Sequence, residues 1–118
     1  MNKISIFEYT RANCAFGAGE KIFEQGDEAE LVYIVKSGLI DIVLNGEILE
    51  TLIEGEIFGE MALVDSSPRS ASAVSRTDST LIALDQDAFE RYVHATPHFA
   101  VEMLKITTDR LRKMMSVA

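Results

Sequence analysis

The apolar and polar positions of this 118-residue chain follow two different periods, and the change falls near Asp85. Before it, apolar residues come in short runs separated by turn residues. Residues 13 to 24 read as strands broken by Gly17 and Gly19, and Gly26-Asp27 marks a turn. Leu31 to Val35 is an apolar β run. Ser37-Gly38 turns it, and Leu39 to Leu44 returns with Ile40, Ile42 and Leu44 alternating on one face and Asp41 between them. Asn45-Gly46 is a hairpin signal, Ile48 to Ile53 continues the sheet, and Gly55-Glu56 turns again. Ala71 to Val74 and Thr80 to Leu84 read as a pair of strands flanking Thr77-Asp78. Many short strands with regular turns predict a sandwich or barrel. After Asp85 the spacing becomes helical. Asp85 or Asp87 caps a helix carrying Phe89, Tyr92 and Val93. Thr96-Pro97 breaks it and restarts a second helix, with Thr96 as N-cap and Pro97 in the first helical position. That helix runs to about Met115, with Ala100, Met103, Leu104, Thr107, Leu111 and Met114 near one face, widened by Phe99 and Ile106. Ile4, Ile6 and Phe7 offer a segment that docks on the core.

The expected architecture is mostly β with C-terminal helices: an antiparallel β-barrel over about residues 11–86, then helices over about 87–115, in a single domain spanning 1–118. Length and a 47% hydrophobic content suit one soluble core. No apolar run approaches a membrane span, and the N-terminus shows no secretion signal. Cys14 is the only cysteine, so an intrachain disulfide is excluded. These features point to a cytoplasmic location. Net charge is −8, and residues 20 to 60 hold 11 acidic against 2 basic side chains. An acidic face of that kind argues against nucleic-acid contact. It also makes any buried arginine valuable to an anionic ligand, which must enter against an unfavourable field.

Candidate chemistry concentrates in residues 58 to 74. Gly59 allows close backbone approach. The helix-compatible run from Met61 and Ala62 to Val64 offers unpaired N–H groups to an anion. Arg69 supplies a bidentate grip on phosphate, and Ser70 a hydroxyl donor. Glu60 repels phosphate but accepts hydrogen bonds from sugar hydroxyls. Ala62 and Ala71 leave room. Elsewhere, His94 and His98 stand four apart across Pro97 without a completing ligand set, so no metal site is expected. Cys14 reads as a small core residue. No catalytic motif is present, and an enzyme is not expected.

The run Phe58-Gly59-Glu60-Met61-Ala62-Leu63, followed by Pro68-Arg69-Ser70-Ala71, resembles the phosphate-binding cassette of cyclic nucleotide-binding domains, the family of the catabolite activator, kinase regulatory subunit and gated-channel type. Gly19 to Asp27 resembles the family's opening strands, and Val32 to Gly38 its next hairpin. The resemblance implies a jelly-roll-like double-stranded β-helix that binds a cyclic nucleotide, cyclic AMP or cyclic GMP, with cyclic AMP the preferred reading. Phe58, Gly59, Glu60, Met61, Ala62, Arg69, Ser70 and Ala71 are then the ligand-binding residues, with Glu60 on the ribose 2′-hydroxyl. The family's base contacts from the last helix fall on Met114 and Met115, which lack hydroxyls. Arg110 either stacks on the purine or is a solvated helix charge. The resemblance also implies that binding re-seats the C-terminal helices and signals to an output. That output is an unidentified partner protein or a missing domain; Met1 and the short tail favour a solitary sensor. Surplus apolar positions on the last helix offer a homodimer surface. The alternative is a ligand-independent interaction domain that keeps the fold. A third reading, a cupin-type enzyme, would need a histidine cluster in the barrel, where the sequence places none.

Overall fold

The computed structural model describes residues 12–60 and 67–117; the expected docking of Ile4, Ile6 and Phe7 lies outside them. The element order is β1 (Ala12–Phe16), β2 (Lys21–Phe23), β3 (Val32–Ser37), β4 (Ile40–Leu44), β5 (Glu47–Leu52), β6 (Ile57–Phe58), β7 (Ser72–Ser75), β8 (Ser79–Leu84), α1 (Gln86–Ala95) and α2 (His98–Val117). The strands form two four-stranded sheets, ordered β1-β8-β3-β6 and β2-β7-β4-β5. All pairings are antiparallel. The mostly-β, jelly-roll-like expectation therefore holds, with two facing sheets rather than one closed ladder among the described residues.

Period-two alternation explains the layers. Tyr33, Val35, Phe58, Leu81 and Ala83 of the first sheet meet Ile40, Leu52 and Ala73 of the second in one core. The opposite side chains, Val32, Ile34, Ile57, Ile82 and Leu84, form a second cluster with Ala88 of α1. β3 and β8 are thus apolar on both faces, which is why they read as continuous runs rather than alternating ones. The Asn45-Gly46 hairpin forms as expected. Both residues have positive φ, 53° and 80°, as a two-residue turn twisted to match its strands requires.

Two local expectations, the β7–β8 pairing and the start of the second helix, are corrected. β7 and β8 are not partners: β7 pairs with β2 and β4, and β8 with β1 and β3. The intervening corner re-aims the chain because Ser75 and Ser79 hydroxyls both donate to the Thr77 carbonyl, at 2.6 and 2.9 Å, while the Leu39 N–H donates to the Thr77 hydroxyl. Asp41, between the alternating apolar positions of β4, is buried. It accepts from Arg76 Nε at 2.9 Å and from the Thr51 hydroxyl at 2.7 Å, which offsets its desolvation. Thr96 closes α1, donating its N–H to the Tyr92 carbonyl, and α2 begins at His98, one residue after Pro97. Asp85 is the N-cap of α1, accepting from the Ala88 N–H at 2.8 Å. Leu104 and Leu111 of α2, which the sequence left as either core or dimer surface, face solvent together with Val101 and Met115. Arg110 turns inward instead, and its contacts explain the rotation.

Candidate anion and sugar site

β6 ends at Phe58, whose ring stacks on Tyr33 with centroids 5.3 Å apart. Its side chain belongs to the core, and its backbone leads directly into Gly59. Gly59 has φ +77°, a conformation that L side chains rarely adopt. A Cβ built there would lie 2.7 Å from Arg69 Nη1. The glycine is needed both for the turn and for the approach of the arginine.

Arg69 is only 7% exposed. Nη1 donates to the Gly59 carbonyl at 3.1 Å and Nη2 to the Leu31 carbonyl at 2.6 Å. The guanidinium carbon lies 4.1 Å from the centroid of the Phe23 ring. Nε is buried and makes no hydrogen bond. Among the described residues no carboxylate pairs with this cation. The backbone of Arg69 is tied to the turn after β2: its N–H donates to the Asp27 carbonyl and its carbonyl accepts from the Gly26 N–H, both at 2.8 Å. Burial pushes the guanidinium pKa below its ordinary value, and the Tyr33, Asp27 and Glu60 groups pull it partly back. Burial also pushes the Tyr33 phenol up, with Arg69 opposing. A cation held by carbonyl dipoles and a ring face, with one donor unused, retains charge and a hydrogen bond that an anion could take up.

Glu60 follows Gly59 and is mostly buried. Arg110 Nη1 donates to Glu60 Oε1. The same guanidinium donates through Nη2 to the Ile57 carbonyl at 2.7 Å and pairs through Nε with Glu50 Oε2 at 3.3 Å. Arg110 is therefore not a solvated helix charge, because it ties α2 to Glu50 of β5, to the Ile57 carbonyl of β6 and to Glu60 beyond it. Ser70 is exposed and Ala71 half-buried beside Arg69. Met61 and Ala62 lie outside the described residues. Glu50, Leu31 and Phe23 escaped the sequence reading as site residues. Glu50 meets Arg110 across 60 positions of sequence, and the Leu31 contact is made by a backbone carbonyl, so neither leaves a local pattern. Phe23 stands in the matched opening strands, but nothing in that strand's sequence tells a ring under an arginine from a core phenylalanine.

Comparison with known proteins agrees with this geometry. Residues 14–96 match the family model described as cyclic nucleotide-binding domain. The chain belongs to the cyclic nucleotide-binding domain family. It is 42% identical over 78 residues to the cAMP-dependent protein kinase regulatory subunit of Debaryomyces hansenii, covering 64% of this chain and 17% of that protein. It is 44% identical over 73 residues to the corresponding subunit of Eremothecium gossypii, covering 62% and 16%. The chain thus spans about one sixth of the length of these relatives. Among solved structures, Thermus thermophilus catabolite activator protein superposes with a TM-score of 0.78 at 33% identity, over 93% of this chain and 53% of that one. A protein described with a cyclic-GMP-dependent signalling pathway that regulates bacterial phytopathogenesis gives 0.77 at 30% identity, over 96% and 95%. No helix among the described residues is long and apolar enough to cross a membrane.

Proposed function

We propose that this chain is a cyclic nucleotide sensor domain, with cyclic AMP preferred to cyclic GMP. The observation that carries the reading is Arg69: a buried cation, positioned and incompletely satisfied, next to the backbone of Gly59. The cyclic phosphate is the ligand group that completes it, with Ser70 and the backbone near Met61 and Ala62 as further donors and Ala71 leaving space. Glu60 accepts from the ribose 2′-hydroxyl through Oε2, since Arg110 engages Oε1. One cation near Asp27 and Glu60 suits the single charge of a cyclic phosphodiester better than the double charge of a 5′-monophosphate. The preference for cyclic AMP draws on the kinase relatives, whose names carry that ligand; the structure described with a cyclic-GMP-dependent pathway keeps cyclic GMP as the competitor. Calorimetric titration of nucleotide-free protein with cyclic AMP, cyclic GMP and 5′-AMP tests the reading. Heat from a cyclic nucleotide and none from 5′-AMP supports it. No heat from any, with no co-purified nucleotide, leaves the ligand-independent interaction domain as the better account.

Signalling would run through α2, because Arg110 is the bond between that helix and the ribose-reading carboxylate. Arg110→Ala is expected to weaken cyclic nucleotide binding about tenfold, the scale of one charge-assisted hydrogen bond that orients Glu60; titration of the variant checks this. The exposed positions Val101, Leu104, Thr108, Leu111 and Met115 repeat at intervals of three and four, the spacing of a two-helix seam. They would join two copies of this domain and pass the signal to an output protein or domain. Sedimentation should show a dimer that Leu104→Glu with Leu111→Glu converts to monomer.

A further inference from the structure

The Arg69 guanidinium is unusual in what holds it. Its two hydrogen bonds, to Gly59 and Leu31, are made by its two terminal nitrogens, Nη1 and Nη2. Bonds at the two terminal nitrogens hold that end of the group and leave rotation about the line joining them, which sets where Nε points. No acid partner restrains it among the described residues. The contact across its face is the Phe23 ring, 4.1 Å from centroid to guanidinium carbon. Phe23 ends β2, where it pairs with Ala73 of β7. Its ring lies 6.1 Å from both the Tyr33 and the Phe58 rings. Behind them, Tyr33 and Phe58 belong to the main core. The ring is thus backed by aromatic side chains from both strands of the β3–β6 pair. It is half-buried rather than sealed, so it presents a surface to the arginine.

We infer that Phe23 is a positioning residue for the anion site, an aromatic floor that holds the Arg69 guanidinium flat and turns its unused Nε–H toward the ligand. The inference deepens the cyclic nucleotide reading and rests on it for the ligand. The physical reason is the negative electrostatic potential of a ring face, which attracts a cation placed over it and does so more strongly away from water. Here the attraction stands in for a carboxylate. An acid beneath Arg69 would neutralise it and compete with an incoming phosphate. A ring orients the cation and leaves its charge available to the ligand. Without the ring, the guanidinium samples other rotamers, and the apparent affinity falls by the fraction of molecules in which it is misplaced.

The test uses the whole chain. Phe23→Leu keeps an apolar side chain and removes the ring face. Phe23→Trp restores a stronger face. Replacement of Phe23 by 3,4,5-trifluorophenylalanine keeps the shape and weakens the face, and so covers the case in which Phe23→Leu fails to fold. Cyclic AMP binding is expected to weaken about tenfold in Phe23→Leu and about threefold in the trifluoro variant, and to stay near wild type in Phe23→Trp. The readout that packing alone would not move is the Arg69 side chain in nucleotide-free protein. Its Nε–Hε order parameter by ¹⁵N relaxation should drop in the leucine and trifluoro variants and stay high in the tryptophan variant. Unchanged order and affinity within twofold of wild type in the trifluoro variant would overturn the inference. Failure of the wild-type protein to bind any cyclic nucleotide would sink the functional reading instead, and the Arg69 order parameters would still decide whether Phe23 positions it.

Discussion

Arg69→Met is expected to weaken cyclic nucleotide binding by at least 100-fold while shifting the thermal midpoint of the nucleotide-free protein by only a few degrees. The binding loss follows from the chemistry of the site. A buried guanidinium gives a cyclic phosphate charge-assisted, directional hydrogen bonds, and removing it leaves the anion in an acidic domain without its cation. A 100-fold loss corresponds to about 2.7 kcal/mol, within the range for a desolvated charge contact. Two opposing effects keep the stability change small. Methionine relieves the cost of burying a cation that lacks an acid partner among the described residues. Against that, the Leu31 and Gly59 carbonyls lose their donors, at roughly 1–3 kcal/mol for a buried polar group left unsatisfied. Calorimetry and a thermal melt on the same preparation separate the two. A midpoint that collapsed by more than about 10 °C, beyond the reach of such a balance, would make Arg69 a structural tie rather than a receptor.

Gly59→Ala should cost both stability and affinity, and a control residue can divide the two. The positive φ alone costs an alanine about 1–2 kcal/mol. At Gly59 the new methyl would also stand 2.7 Å from Arg69 Nη1 and 3.4 Å from the Leu31 carbonyl. The guanidinium must move, and with it both hydrogen bonds of its terminal nitrogens. We expect a loss of roughly 2–3 kcal/mol in chemical denaturation and at least tenfold in affinity. Gly55 has a comparable φ of +90° with nothing within 4 Å of a built Cβ. Gly55→Ala therefore carries the strain without the collision, and should lose stability but keep its affinity. If both variants bind equally well, Gly59 is a turn residue and no more.

The fold was largely legible because its signals are local. The Asn45-Gly46 turn, the two-sided apolar runs of β3 and β8 and the Asp85 cap each rest on neighbouring residues and a fixed period. Sheet membership was not legible in the same way. Ala71 to Val74 and Thr80 to Leu84 have the composition of a hairpin, and the corner between them is held by long-range contacts, the Leu39 N–H on the Thr77 hydroxyl and the Arg76 N–H on the Leu39 carbonyl, that leave no local pattern. The orientation of α2 was left open for a related reason. Helical periodicity allowed Leu104 and Leu111 to face inward, but a guanidinium with two distant acids and a carbonyl to satisfy outweighs the burial of two leucines at a domain edge. In the site, Gly59, Glu60 and Arg69 could be found because their spacing matches a known cassette. What surrounds Arg69 could not: the Leu31 carbonyl and the Phe23 ring act through backbone geometry and orientation, which residue identity does not encode. Glu50 could not be found either, because a single acid on a strand of many acids carries no mark of its partner.

The reciprocal backbone bonds between Arg69 and the Gly26–Asp27 turn have a consequence for how the domain breathes. Proteins open in pieces, and loops open before the sheets that carry them. Arg69 sits outside the strands, yet both its N–H and its carbonyl are hydrogen-bonded to the Gly26–Asp27 turn that follows β2, much as a strand residue is bonded to its neighbour. A local opening that frees its neighbours does not free Arg69 unless the Gly26–Asp27 turn also parts from it. The cation is thus a fixed post of the frame. Amide exchange at Arg69 should follow the strands, and the charge should remain in place through the small openings that let a ligand in.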